Sequence, residues 1–158
     1  MEIREPGPAD VEAVARCQLD CWRDAYADVV DPARLQPYLD DVAANAVRWR
    51  QILAGPARVR VAEDAGALVG FATVRPATGN APAHLAAIYT RRAYWSTGLG
   101  QRLLEETLGD EPATLRVFRQ NVRARIFYTR NGFVPDGTEA EEPHWGGVEI
   151  GMVRPAPA

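Results

Sequence analysis

Lysine is absent from the 158-residue chain: all eighteen basic side chains are arginine, set against twenty-one acids for a formal charge of −3. A Walker-type phosphate loop, which ends in Gly-Lys-Ser/Thr, is thereby excluded. So is self-modification on a lysine amine. Arginine in place of lysine, beside abundant Ala, Gly and Pro, is what the codon usage of a GC-rich genome produces. The acidic balance, with a pI near 5.4, leaves no global footprint for nucleic acid, whose affinity rests largely on phosphate contacts.

Cysteine is almost absent too. Cys17 and Cys21 are the only two, four residues apart in a stretch with helical periodicity, and the two histidines, His84 and His144, lie far away in sequence. A metal centre needs further ligands at short spacing, so the cysteines read as small apolar side chains on a core-facing stripe, and no metal is expected. No apolar run approaches the ~20 residues that span a bilayer. Met1 leads into Glu2-Ile3-Arg4 rather than into a basic segment followed by an apolar one, so no signal peptide is read. The expectation is a cytoplasmic protein with reduced cysteines and no membrane contact.

What is present fits one globular domain over residues 1–158, with 47% apolar and 25% charged residues. A first strand reads from Glu2 to Glu5. Asp10 opens a helical pattern through Val11, Val14, Ala15, Leu19 and Trp22 to about Tyr26. Asp31-Pro32 caps a short helix to Leu39, and another helix runs from about Asp41 to Leu53, stopped by Gly55-Pro56. Strands Arg58–Glu63 and Ala67–Val74 flank the tight turn Asp64-Ala65-Gly66. A further strand, His84–Thr90, precedes a glycine-bearing loop, Trp95–Gly100, and a helix, Gln101–Leu108. Strand Ala113–Phe118, helix Val122–Asn131, a strand starting at Gly132-Phe133, a polar tail after Gly137 and a last strand, Val148–Val153, complete the chain. The order β-α-α-α-β-β-β-α-β-α-β-β is that of a mixed α/β domain.

One constellation carries chemistry. Thr90 to Leu104 reads Thr-Arg-Arg-Ala-Tyr-Trp-Ser-Thr-Gly-Leu-Gly-Gln-Arg-Leu-Leu: a strand, a tight loop, a helix. Gly98 and Gly100 let the backbone turn sharply and approach a ligand closely. The helix start offers unpaired N–H groups and the positive end of its dipole. These residues alone leave two readings, an anion cradle or a tight turn without ligand. A dinucleotide fingerprint is excluded because Leu103 stands where its third glycine belongs.

Tyr94 to Leu104 resembles the coenzyme A pyrophosphate loop of the GNAT superfamily of N-acetyltransferases, Gln/Arg-x-x-Gly-x-Gly/Ala. Asn121-Val-Arg-Ala-Arg-Ile-Phe-Tyr128-Thr-Arg-Asn-Gly132-Phe133 resembles that family's second motif, Asn-x-x-Ala-x-x-x-Tyr-x-x-x-Gly-Phe. Val61 and the run Leu68-Val69-Gly70-Phe71 resemble its second and third strands, and element order agrees over nearly the whole chain. The resemblance implies a GNAT-like α/β (α+β) domain whose central mixed, mostly antiparallel sheet is flanked by helices. It implies acetyl-CoA as cosubstrate, cradled by Trp95, Ser96, Thr97, Gly98, Leu99, Gly100 and Gln101, largely through backbone N–H groups. Trp95 departs from the pattern, standing where relatives carry Gln or Arg. Arg91, Arg92 and Arg102 flank the loop and either pair with phosphates or stay solvated. By the same resemblance, the backbone of Ile88, Tyr89 and Thr90 pairs with the pantetheine arm like an added strand. The helix holding Tyr128 then stands away to leave a V-shaped gap, and Asn121 contacts the arm, a role compatible with capping its helix.

Transfer from a thioester to an amine needs a neutral amine, a polarised carbonyl and a protonated leaving thiolate. Tyr128 matches the family tyrosine that protonates the thiolate, feasible between groups of pKa ~10 and ~8.5; its other reading is an aromatic anchor beside Phe127. A backbone N–H near Ile88 would polarise the carbonyl. Relatives often carry the base as a carboxylate on the fourth strand, but here His84-Leu-Ala-Ala-Ile-Tyr-Thr holds none. His84 is therefore a candidate base, with His144, Glu141 and Glu142 as others or as solvated loop residues. Trp22 and Tyr26, i,i+4 partners, are either walls of the acceptor pocket, with His144, or core. Asp24, Asp28, Asp31, Glu139, Glu141 and Glu142 suggest an acidic rim suited to a cationic amine. The expected partner is the primary amine of a small molecule or peptide, acetylated by direct attack in a ternary complex. A non-catalytic acyl-CoA-binding module is the alternative, and a homodimer is compatible with the resemblance. An enzyme acylating charged tRNA is argued against by the acidic chain.

Overall fold

Local signals set the elements. In the computed structural model, which describes residues 1–158, β1 (Glu2–Arg4) leads through a 3-10 turn into α1 (Val11–Tyr26), α2 (Pro32–Asp40) and α3 (Val42–Ala54). Asp31 and Asp41 accept the N–H groups of Ala33 and Ala44 as caps, and Pro32 takes the first position of α2. β2 (Arg58–Asp64) and β3 (Ala67–Arg75) form a hairpin. Its two loop residues, Ala65 at φ 50° and Gly66 at φ 80°, are both left-handed, the turn whose twist matches the flanking strands. β4 (Ala83–Thr90), α4 (Leu99–Thr107), β5 (Ala113–Phe118), α5 (Val122–Arg130), β6 (Val134–Glu141) and β7 (Val148–Arg154) follow.

The element order is the expected one, with two corrections. Helix α4 begins at Leu99, two residues before Gln101. The stretch after Gly137, read from sequence as a polar tail, is instead the second half of β6. Every residue of β6 is exposed, so no apolar alternation marks it; as the sheet's outer strand it is held by backbone pairing to β7 alone. Pro135 and the acids along it protect that edge.

The seven strands make one sheet in the order β1-β2-β3-β4-β5-β7-β6. All neighbours are antiparallel except β4 and β5. On one face α1 and α3 bury Val14 and Trp49 against Val61 and Phe71, and α2 adds Leu35 and Leu39 beside Tyr26 and Phe118. On the other face α4 and α5 bury Leu104 and Tyr128 against Leu85, Leu115 and Met152. Cys17 and Cys21 are buried and unbridged in the α1 layer.

β4 and β5 pair only at Ala83↔Ala113 and His84↔Thr114. They then part. Thr73 faces Ala87 while Val74 faces Leu85, so Ala86 is an extra residue in β4, a bulge that bends the strand and strengthens its twist. Beyond the bulge the alternation of antiparallel hydrogen bonds decides which backbone groups are open. Arg91 N–H donates to the Val69 carbonyl at 2.9 Å, so Ala87 and Tyr89 turn their backbone groups to β3, and Ile88 and Thr90 turn theirs to the opening.

Gly70 on β3 lets α4 close on this region: a Cβ there would stand 2.8 Å from the Tyr89 carbonyl oxygen and 3.3 Å from Leu103 Cδ1. Gly70→Ala is expected to destabilise the fold by about 1–3 kcal/mol through overpacking, read as a lower urea midpoint at unchanged m-value.

Candidate active site

The parted strands open a cavity of about 680 Å³. β4 supplies His84, Ile88, Tyr89 and Thr90 to its wall; the following loop and α4 supply Trp95, Ser96, Gly98, Gly100 and Gln101; α5 supplies Asn121, Arg123 and Tyr128. Tyr26 enters from α1, and Arg116, Phe118 and Glu149 from β5 and β7.

At one end lies the glycine loop. Gly98, at φ +89°, takes a left-handed conformation that places it at the N-cap of α4 without any side chain capping the helix. The first helical bond runs from Arg102 N–H to the Gly98 carbonyl at 3.1 Å, so the N–H groups of Leu99, Gly100 and Gln101 have no partner within the helix. By contrast α2, α3 and α5 are capped by Asp31, Asp41 and Asn121. The side chains of the loop turn elsewhere. Leu99 is buried among Ala62, Val69, Ala72 and Leu103. Thr97 Oγ1 donates to the Tyr94 carbonyl at 2.6 Å, and Gln101 Nε2 to Glu105 Oε1 at 2.9 Å. At Gly98 and Gly100 the loop presents backbone to the cavity.

Of the two readings of the flanking arginines, the structure favours the one in which they stay at the surface, away from the cavity. Arg91 Nε donates to Asp24 Oδ2 at 2.7 Å, the Arg92 N–H to the same carboxylate at 2.9 Å, and Arg102 lies 4.0 Å from Glu106. They tie the loop to α1 or decorate α4, and none lines the cavity. The cations that do are Arg123 and Arg130 of α5 and Arg116 of β5. Arg123, exposed on α5, has its Cζ 3.6 Å from the centre of the Trp95 ring, whose other neighbour, Arg92, is at 4.9 Å. Trp95 Nε1 donates to the Thr90 carbonyl at 3.0 Å. Of the two residues whose backbone faces the opening, Thr90 thus has its carbonyl taken by Trp95, and Ile88 remains free at both groups. Tyr89, expected to share that role, has its backbone bound to β3.

Tyr128 lines the cavity from α5, buried at 8% exposure. Burial, then Tyr89, raises its phenol well above the ordinary value while Arg123 opposes, so the hydroxyl keeps its proton at neutral pH. It has no hydrogen-bond partner in the protein. Asn121 Oδ1 accepts the Ala124 N–H at 3.2 Å as the cap of α5, with the residue also on the cavity wall.

Across the opening Tyr26 and Tyr89 hydrogen-bond to each other through their hydroxyls, and burial pushes Tyr89 up to about 12. His84 lies at the closed end, with Nδ1 2.8 Å from Thr114 Oγ1. Burial, then Arg75 and Arg116, lowers its pKa, which keeps the ring neutral. Two expected pocket residues are elsewhere. Trp22 packs edge-on against Trp145 at 4.7 Å and lies behind the cavity wall. His144 is exposed against Tyr38 at 5.7 Å, because Glu142 caps the N–H groups of His144 and Trp145 and turns Trp145 inward instead. The supposed acidic rim dissolves likewise: Asp24 holds Arg91, Asp31 caps α2, Glu139 pairs with Arg119, and Glu142 caps the turn. Sequence reading missed Arg123 and Glu149. An acid inside the apolar run Val148–Val153 is the signal that marks Glu149.

An opening through the sheet, with unpaired backbone along one edge and a free helix start at its mouth, suits an extended ligand that carries an anionic group. Residues 55–135, just over half the chain, match the acetyltransferase (GNAT) domain. The chain belongs to that family. It is 25% identical over 160 residues to a probable N-acetyltransferase of Mycobacterium tuberculosis, covering 95% of this chain and 89% of that protein. Among solved structures it resembles the PaiA N-acetyltransferase of Thermoplasma acidophilum in complex with coenzyme A, at TM-score 0.76 and 21% identity over 97% of each chain. It also resembles an aminoglycoside 6'-N-acetyltransferase complexed with coenzyme A, at TM-score 0.70 and 16% identity over all of both chains.

The loop's anchorage has a pH signature. Burial alone would raise the Asp24 carboxyl, but Arg91 and the Arg92 N–H outweigh it and hold it below the ordinary carboxylate value. A folded value below the unfolded ~3.9 means stabilisation that is complete above that pH and lost as pH falls through the folded value. Asp24→Asn is expected to lower Tm at pH 6, with the deficit narrowing as the pH is taken below 3.

Proposed function

We propose that this chain is an N-acetyltransferase that moves an acetyl group from acetyl-CoA to a primary amine of a small molecule or peptide, with both substrates bound together. One observation carries the reading: a single cavity joins an uncapped helix start, an open strand edge and a protonated, unpartnered Tyr128 hydroxyl. The residues fit coenzyme A. Pyrophosphate suits the free N–H groups of Leu99, Gly100 and Gln101 and the dipole end of α4, with Arg123 as the nearby cation. The amide-bearing arm suits the free carbonyl of Ile88 and the N–H of Thr90, paired as an added strand. Relatives crystallised with coenzyme A support the assignment.

When bound, acetyl-CoA supplies an acyl carbon open to amine attack and a sulfur that departs as thiolate. The chain's own residues then have separable tasks. Ile88 N–H donates to the carbonyl oxygen as charge develops there. Tyr128 Oη holds a proton and passes it to the departing sulfur. Trp95 and Arg123 close the groove at the cradle.

As a native-state ligand, acetyl-CoA is expected to raise Tm, by the equivalent of about 2.7 kcal/mol at a concentration 100 times Kd. No shift at millimolar concentration would sink the family-based reading of the cradle. Tyr128→Phe is expected to keep the shift and to lower kcat about 10²–10⁴-fold, measured as free thiol released with a panel of amines, amino acids and peptides. Equal rates would remove Tyr128 from the chemistry. A thermal shift without turnover on any acceptor would favour a non-catalytic acyl-CoA-binding module.

A further inference from the structure

An amine that arrives as an ammonium ion needs a group to take its proton, and that group must face the cavity with an open lone pair. Two side chains on the wall qualify by chemistry, His84 and Glu149. His84 is poorly placed to receive a cation. Its Nδ1 is engaged with Thr114 Oγ1 at 2.8 Å, and Arg75 and Arg116 already act on the ring from β3 and β5. Glu149 is the one carboxylate on the wall, half-buried, with no ion pair and no side-chain hydrogen bond. It extends from β7 opposite Phe118 of β5, and its charge is felt by both Tyr26 and Tyr89. The wall beside it is aromatic, formed by Tyr26, Tyr89 and Phe118.

We propose that Glu149 receives the acceptor's ammonium group and serves as the general base, reaching the reacting atoms from β7 rather than β4. This rests on the transferase reading above. The groups that face Glu149 are Arg116 from β5, Glu142 from the β6–β7 turn, Tyr26 from α1 and Tyr89 from β4. Burial raises the carboxyl above its ordinary value, Arg116 opposes, and Glu142 adds to the rise, which moves the base toward neutral pH. The proton count closes. Of the three protons on the ammonium nitrogen, one passes to Glu149 and on to solvent, freeing the lone pair. As nitrogen bonds to the acetyl carbon and the carbon–sulfur bond breaks, Tyr128 protonates the sulfur. A second nitrogen proton is released and restores Tyr128 through solvent, and the third stays on the amide.

The test begins without acetyl-CoA. Butylamine hydrochloride is titrated into the full chain at pH 7 by calorimetry, with butanol as the uncharged control. Glu149→Gln is expected to weaken butylammonium binding about tenfold and to leave both the butanol response and the acetyl-CoA-induced rise in Tm unchanged. In turnover of butylamine, E149Q is expected to lose kcat/KM about 100-fold at pH 7 and to regain about tenfold per pH unit toward pH 9, following the free amine. Equal affinities together with superimposable pH profiles overturn the proposal, as does a loss in His84→Gln that E149Q does not share. Should E149Q not fold, Glu149→Met is read by the same criteria. Absence of any acetyl-CoA-induced rise in the unsubstituted chain counts against the transferase reading instead, because ammonium binding is measured independently of it.

Discussion

A sheet strand normally pairs on both sides, and β4 does so for only two residues. After Ala83↔Ala113 and His84↔Thr114 its outer edge is open, although β4 lies in the middle of the sheet. Unpaired backbone amides in such a place carry a free-energy penalty unless something else accepts them. The opening persists because neither half can swing shut. β4 is bound along its length to β3, and β5 to β7. Beneath the split one apolar cluster joins Val74 and Leu85 of the first half to Leu115, Val117 and Met152 of the second, with Leu104, Tyr128 and Phe133 wedged against both. Close-packed interiors resist such shifts. The cavity is thus the consequence of a bulge at Ala86 and a core that holds the two halves apart.

The same constraint governs how charge is arranged. A cradle built from backbone N–H groups needs a nearby cation more than it needs any particular loop side chain. In this chain the loop's own arginines are bound to acids of α1 and α4, which fixes the loop's position and removes them from the cavity. Trp95 compensates for the absent polar residue indirectly. Its Nε1 hydrogen bond to Thr90 folds the ring across the end of β4, and the ring face then holds Arg123 of α5 at 3.6 Å. A guanidinium is brought to the mouth of the opening from the opposite lip by cation–π attraction. This contact joins the two lips.

How much of this was legible follows from which forces act locally. The caps Asp31, Asp41 and Asn121, the Ala65-Gly66 turn and the uncapped Gly98 depend on a few adjacent residues, and each could be read from sequence. The second half of β6 could not, since an exposed edge strand needs no apolar face. The place of Arg91 stayed open in the sequence because its partners Asp20 and Asp24 lie about seventy residues away. Trp22 and Tyr26 share one helix face, yet only Tyr26 borders the cavity; Trp145, from the last turn, covers Trp22. Glu149 is marked in sequence only as an acid inside an apolar run; its place on the cavity wall depends on how the strands are arranged in space.

Three phenols meet at the opening, and their differences bear on which one can release a proton. Tyr26 and Tyr89 are bound to each other, so their hydroxyls are already engaged. Tyr128 has no such partner. Burial raises all three, which at first sight makes Tyr128 a poor acid. A thiolate formed in the same cavity is raised by the same desolvation, so the comparison that matters is between the two groups rather than with water. Their ordinary values differ by ~1.5 units, about 2 kcal/mol against transfer. Arg123 acts on Tyr128 in the direction that offsets this difference. The arginine held over the Trp95 ring therefore also acts on the Tyr128 proton.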